Sequence, residues 1–311
     1  MLFGGWPREG GRGSVERREV TLGGVGRLEH RVVVGGLFGN DLQDIPVLDN
    51  PAVVVDAATC VSAGRVASPA MPQIIIDRRF NGPPDSGNGG YVCGLIANAI
   101  DGPAISTLRK PPPLGRELIL QTPAEGSVVL RDGDTVIGEA ISKPLSLALP
   151  EPPSFDEAVE ASKHYVGFQA HIFPTCFVCG PGRPLDDGMR LYPGAVPERS
   201  IVATPWTPDA SMPNENNRIR DEIVWAALDC TSFFPHYPAE AVLGRLHAQI
   251  VRETRVGDRY VVVGWKVGGE GRKLWSGTAV FDEDGNACAS ALATWIRLQP
   301  DQAGFRVETG G

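Results

Sequence analysis

Between Gln73 and Leu298 the chain is written mostly in short alternating runs of apolar and polar residues, interrupted twice by apolar residues at helical spacing. QIIIDRRF, from Gln73, reads as a strand, and a glycine-rich loop, Asn81–Gly90, follows. Tyr91–Ile100 places Val92, Leu95, Ile96 and Ala99 on one face, which predicts a helix of about three turns. After a turn at Gly102-Pro103, the runs AISTLRK, ELILQTPA, SVVLRDG and TVIGEAISK predict four strands, with a hairpin signal at Asp132–Asp134. Pro144–Ala158, rich in proline, predicts a linker.

The same order then recurs. MRLYPGA and SIVATPW read as strands, and Ile219–Phe233 as a helix with Ile223, Ala226, Ala227 and Cys230 on its inner face. GRLHAQIVRE, DRYVVVGWKV, KLWSGTAVFDEDG and ACASALATWIRL read as strands. Landmarks pair at slowly growing offsets: Gly89-Gly90 with Asp221-Glu222, Arg109 with Arg252, Gly115 with Gly257, and Gly133 with Gly285. An internal duplication accounts for this order. The expected division is an N-terminal extension (1–70), a first repeat (71–143), a linker (144–168), a second repeat (169–298) and a tail (299–311). Residues 1–70 are glycine-rich with strand-like patches at Arg31–Val34 and Pro51–Ala57, and MPQIIIDRRFNG from Met71 reads as a domain start.

Composition narrows the function. The chain has 311 residues, 42% of them hydrophobic, enough for about two cores. No apolar run approaches the ~20 residues of a membrane helix, and the N-terminus lacks a signal-peptide pattern, so a soluble cytoplasmic protein is expected. A net charge of −8 argues against a nucleic-acid partner. Six cysteines are too few for a disulfide scaffold of this length. Cys93, Cys230 and Cys288 sit in apolar runs and read as small buried hydrophobes. CFVCG at Cys176–Gly180 has the form of a metal knuckle, but no second CxxC pair exists, and only His171 and the distant Cys230 remain as further ligands. The expectation is a thiol-rich structural turn with no metal.

A central helix wrapped by an antiparallel sheet, duplicated in one chain, resembles the hotdog fold over roughly Gln73–Leu298, an α+β class. Within it the chain resembles the acyl-CoA thioesterases of the phenylacetate-pathway type. Their signature is a His-Gly-Gly step opening the helix and an Asp within it. Here the step is Asn88-Gly89-Gly90, with Asn in place of His, and the carboxylate position falls on Ala97. In the second half the glycine positions hold Asp221-Glu222, while the carboxylate position holds Asp229. The resemblance implies one composite site, with Gly89, Gly90 and Tyr91 amides from one repeat facing Asp229 from the other. It also implies a mirror site of Asp221, Glu222 and Ala97, a repelling acidic mouth without a base.

The implied activity is hydrolysis of a medium-chain or aromatic acyl thioester of coenzyme A or a carrier protein. Gly90 and Tyr91 amides would stabilise the developing oxyanion, with Asp229 as base or nucleophile. Asn88 reads as a cap or site residue, and Thr231 and Ser232 as candidates to hold a water. Trp225 and Phe233 are expected along the acyl tunnel, and Arg109, Arg116, Arg272 and Lys273 against coenzyme A phosphates. No cofactor beyond the substrate's own coenzyme A is implied. A fused pair needs no second chain for its helix pair, although further homo-oligomers are compatible with it. Two other readings stand beside this one: a non-catalytic acyl-binding protein, and an enoyl-CoA hydratase, which lacks its histidine here.

Overall fold

The computed structural model describes residues 72–185 and 187–299. Expectations placed on 1–70, the domain start at Met71 and the tail after 299 lie outside the described residues. β1 (Gln73–Ile75) is shorter than the expected strand. The Asp77 side chain accepts the Arg79 N–H and closes a 3₁₀ turn, Arg78–Phe80, where ladder pairing would have continued. α1 (Gly89–Ala97) starts two residues earlier than expected because the Asn88 side chain accepts the Tyr91 N–H as an N-cap. Ala99 then lies beyond the helix and is exposed, not on its inner face.

The next four strands follow expectation: β2 (Ala104–Leu108), β3 (Glu117–Ala124), β4 (Ser127–Asp132) and β5 (Thr135–Ser142). Gly133, at φ 56°, turns the β4–β5 hairpin. The expected linker contains a helix, α2 (Phe155–Ser162), begun by a capping box between Ser154 and Glu157. Of MRLYPGA only β6 (Gly194–Ala195) is strand, since Arg190 at φ 57° breaks the extended run. β7 (Ile201–Trp206), a small hairpin of β8 (Asn214–Glu215) and β9 (Arg218–Ile219), and α3 (Asp221–Phe233) come next. They are followed by β10 (Ala241–Ile250), β11 (Tyr260–Glu270), β12 (Lys273–Phe281) and β13 (Ala287–Arg297).

Among the described residues eleven strands form one sheet in the order β1-β3-β4-β5-β2-β10-β13-β12-β11-β7-β6, and every pairing among them is antiparallel. A large antiparallel sheet carrying few helices is an α+β arrangement and fits the expected hotdog fold. At its centre β2 pairs with β10, from Ala104↔Ala248 to Thr107↔Arg245. α1 packs on β2, β5 and β10, and α3 on β10 to β13.

The faces of the second half separate by strand alternation. Val262 and Val280 join the main core, whereas Val261, Val263, Ala279 and Phe281 form a second cluster with Ala158 and Ala161 of α2. α1 and α3 touch along two glycines. A Cβ on Gly90 would lie 2.3 Å from Asp229 Cβ and 2.5 Å from the Trp225 carbonyl oxygen, and one on Gly94 would lie 2.6 Å from Glu222 Cα. Glycine at both positions lets the helices meet.

Candidate functional site

The first turn of α1 and the middle of α3 meet in a buried polar contact. Gly90 N–H donates to Asp229 Oδ2 at 2.7 Å, and Asn88 Nδ2 donates to the same oxygen at 3.1 Å. The Asn88 side-chain oxygen, Oδ1, is turned to its own helix, accepting Tyr91 N–H at 2.9 Å. Asn88 thus ties the helix start to a carboxylate 141 residues away. Both groups are buried, at 2% exposure each. Burial pushes the Asp229 carboxyl up to about 7 against the opposing pull of the Gly90 amide, with the neighbouring Cys176 adding to the rise and Asn88 opposing it. The other oxygen, Asp229 Oδ1, is buried without a partner among the described residues.

Two expected oxyanion donors are therefore already engaged. Gly90 N–H is held by Asp229 and Tyr91 N–H by the Asn88 cap. Gly90 lacks a Cβ because α3 leaves no room for one, not because a ligand approaches it. Of the three amides, Gly89 N–H has no hydrogen-bond partner among the described residues. The Tyr91 ring is buried and stacks on Phe80 at 4.2 Å.

Asn88, Gly89 and Asp229 line a cavity of about 870 Å³ whose walls include Phe168, Phe173, Phe233, Phe234, Tyr237 and Trp295. Phe233 lines this cavity, but Trp225 does not. Trp225 lines a second pocket, of about 310 Å³, on the other side of the helix pair. None of Arg109, Arg116, Arg272 and Lys273 lines the large cavity. Arg109 is bonded to Glu139, Arg116 to Asp132 at 3.2 Å, and Arg272 Nε to the Arg297 carbonyl at 3.0 Å. These cations sit at strand ends, and the three arginines are engaged by residues of neighbouring strands. Ser232 Oγ donates to the Asp229 backbone carbonyl at 2.6 Å and Thr231 Oγ1 has no partner among the described residues, so neither hydroxyl bonds to the carboxylate.

The second pocket holds Ala97, Asp221 and Glu222 as expected, but not as a repelling mouth. Arg218 pairs with Asp221 at 2.6 Å and Arg220 with Glu222 at 2.7 Å, while Asn98 Nδ2 donates to Glu222 at 2.8 Å. Ala97→Asp should add a buried carboxylate beside one already satisfied. We expect no new activity and a loss of about 1–3 kcal/mol in stability, read from the urea midpoint. Thioester cleavage gained at this pocket by that variant would contradict this assignment.

The sequence also suggests that Cys230 is remote from the Cys176–Cys179 knuckle, and here the fold differs. The thiols of all three lie within 4.8 Å of one another, all buried. Cys176 Sγ and Cys230 Sγ are 3.7 Å apart, and His171 Nε2 is 3.3 Å from Cys179 Sγ. The cluster lines the large cavity beside Asp229. Its one local signal was the CxxCG step; the 51-residue interval to Cys230 gave none.

No family model matches the sequence, and no curated protein matches it. Solved structures do. A protein of Novosphingobium aromaticivorans shares 10% identity at a TM-score of 0.48, over 73% of this chain and 94% of that one. The tesB protein of Mycobacterium avium subspecies paratuberculosis shares 12% at 0.46, over 68% and 88%. The Escherichia coli PaaI protein from the phenylacetic acid degradation operon shares 12% at 0.30, over 32% and 77%.

Proposed function

We propose that this chain is an acyl-CoA thioesterase-like hydrolase with one composite site between two fused hotdog repeats. The observation that carries the reading is the Asp229 carboxylate, delivered from α3 to the first turn of α1 at the floor of an aromatic-walled cavity. Duplication is supported by the strand order. Outward from the β2–β10 pair it runs β5, β4, β3, β1 on one side and β13, β12, β11, β7 on the other. The paired glycines agree: Gly115 and Gly257 have φ 64° and 86°, and Gly133 and Gly285 have φ 56° and 80°.

In the proposed reaction the thioester carbonyl oxygen accepts from Gly89 N–H. Asp229 takes a proton from a water through its unpartnered Oδ1 as that water adds to the carbonyl carbon. Collapse of the tetrahedral intermediate breaks the C–S bond, and the leaving sulfur takes the proton back from Asp229 to depart as the thiol. The apolar cavity suits a medium-chain or aromatic acyl group. A thiol-release screen across acyl-CoA chain lengths tests this, with steady turnover expected for at least one such substrate.

A second reading, non-catalytic acyl binding, is favoured by one observation: Gly90 and Tyr91 amides are both occupied, leaving a single amide for an oxyanion. Saturable acyl-CoA binding without thiol release would establish it. α1 and α3 pack within one chain, so light scattering should find that the monomer is already a complete folded unit. A chain that is folded only as a dimer would contradict the fused pair.

A further inference from the structure

We propose that Cys176, Cys179 and Cys230 form a three-thiolate site for a thiophilic divalent cation of the zinc class, with its fourth position open to the large cavity. The proposal stands apart from the thioesterase reading and does not need it.

Spacing is the first argument. Bonds of about 2.3 Å at tetrahedral angles put sulfurs about 3.8 Å apart. Cys176 and Cys230 stand at 3.7 Å with both thiols free, and the third sulfur completes a set within 4.8 Å. No sulfur has to travel far to ligate one ion.

The knuckle itself is the second. The turn closes with Gly180 N–H donating to the Cys176 carbonyl at 3.0 Å. A Cβ on Gly180 would lie 2.5 Å from both Cys176 N and the Pro174 carbonyl oxygen, so the tight turn requires glycine after the second cysteine. A plain buried turn has no need to converge three thiols from two separate elements. Cys230 comes from α3, and Asn88 Nδ2 approaches its sulfur at 3.6 Å.

His171 is the neighbour that supports the ligands without being one. Phe173 N–H donates to its Nδ1 at 2.9 Å, which leaves the proton on Nε2, facing Cys179 Sγ at 3.3 Å. The imidazole therefore donates to a ligand sulfur, in the manner of outer-shell partners that orient metal ligands. All three cysteines line the cavity, so water or a small anion from that side can take the remaining position, as in sites with three protein ligands.

The test uses the full chain, reduced, stripped with a chelator and titrated with Co²⁺. One equivalent should bind with near-ultraviolet thiolate-to-metal absorption and visible bands of a four-coordinate ion, and Zn²⁺ should displace it. Cys230→Ala should abolish this stoichiometric binding, while joint replacement of the three other cysteines (Cys60→Ser, Cys93→Ala, Cys288→Ala) should preserve it. His171→Ala should keep one ion per chain but weaken it about 10–100-fold. Absence of Co²⁺ uptake by the reduced wild type, or uptake unchanged in Cys230→Ala, would overturn the site. So would a stable Cys176–Cys230 disulfide that persists under the reducing conditions. Since wild-type uptake is read directly, a variant that fails to fold does not rescue the proposal.

Discussion

Asp229→Asn should lower kcat for thioester cleavage by about 10²–10⁴-fold, the range of a positioned general base, while substrate binding changes little. The substitution preserves shape, and the amide oxygen can still accept from Gly90 N–H and Asn88 Nδ2. What disappears is the ability to take a proton. Asn88→Ala acts on the same unit from the other side, removing both the α1 cap and one donor to the carboxylate. If the three groups work together, the double variant should be scarcely slower than the poorer single one, because residues acting as a unit are strongly non-additive. Near-wild-type thiol release by Asp229→Asn would end the composite-site model and move the binding-protein reading ahead. Asp85, the other carboxylate in this loop, offers no rescue: it is exposed and does not line the cavity.

Gly90 predicts a different kind of loss. Gly90→Ala should destabilise the fold by about 1–3 kcal/mol or more, the scale of overpacking, because its Cβ would lie within 2.5 Å of two α3 atoms. One of these is the Trp225 backbone carbonyl, which cannot rotate away. Gly94→Ala should behave alike, against Glu222 Cα at 2.6 Å, although it is a full helical turn from the cavity. Urea midpoints measured on both variants distinguish a packing role from a catalytic one. If Gly90→Ala keeps wild-type stability and loses only turnover, glycine is there for the ligand and the close helix crossing is not what requires it.

The sequence alone determined the element order, because periodicity and turn chemistry act over a few residues. The β4–β5 hairpin at Gly133 and the six long strands of the two halves stand where alternation placed them. The contact of Asn88 and Gly90 with Asp229 was also legible, through the recurring element order and the resemblance it carries. Local competition decided the misses. Asp77 closed a turn where a strand was expected, and the Ser154–Glu157 box opened a helix inside an expected linker.

Only the tertiary structure decided who uses each donor. Whether the Gly90 amide is free depends on how near α3 comes, and that depends on two glycines meeting another helix. Whether an arginine meets a phosphate or a neighbouring carboxylate depends on the strand beside it: Arg109 found Glu139 on β5. The same holds for Cys230, which read as a small hydrophobe because the apolar run around it says nothing of a knuckle 51 residues upstream. Contacts between distant segments are set by the summed burial of whole faces, and no window of sequence contains that sum.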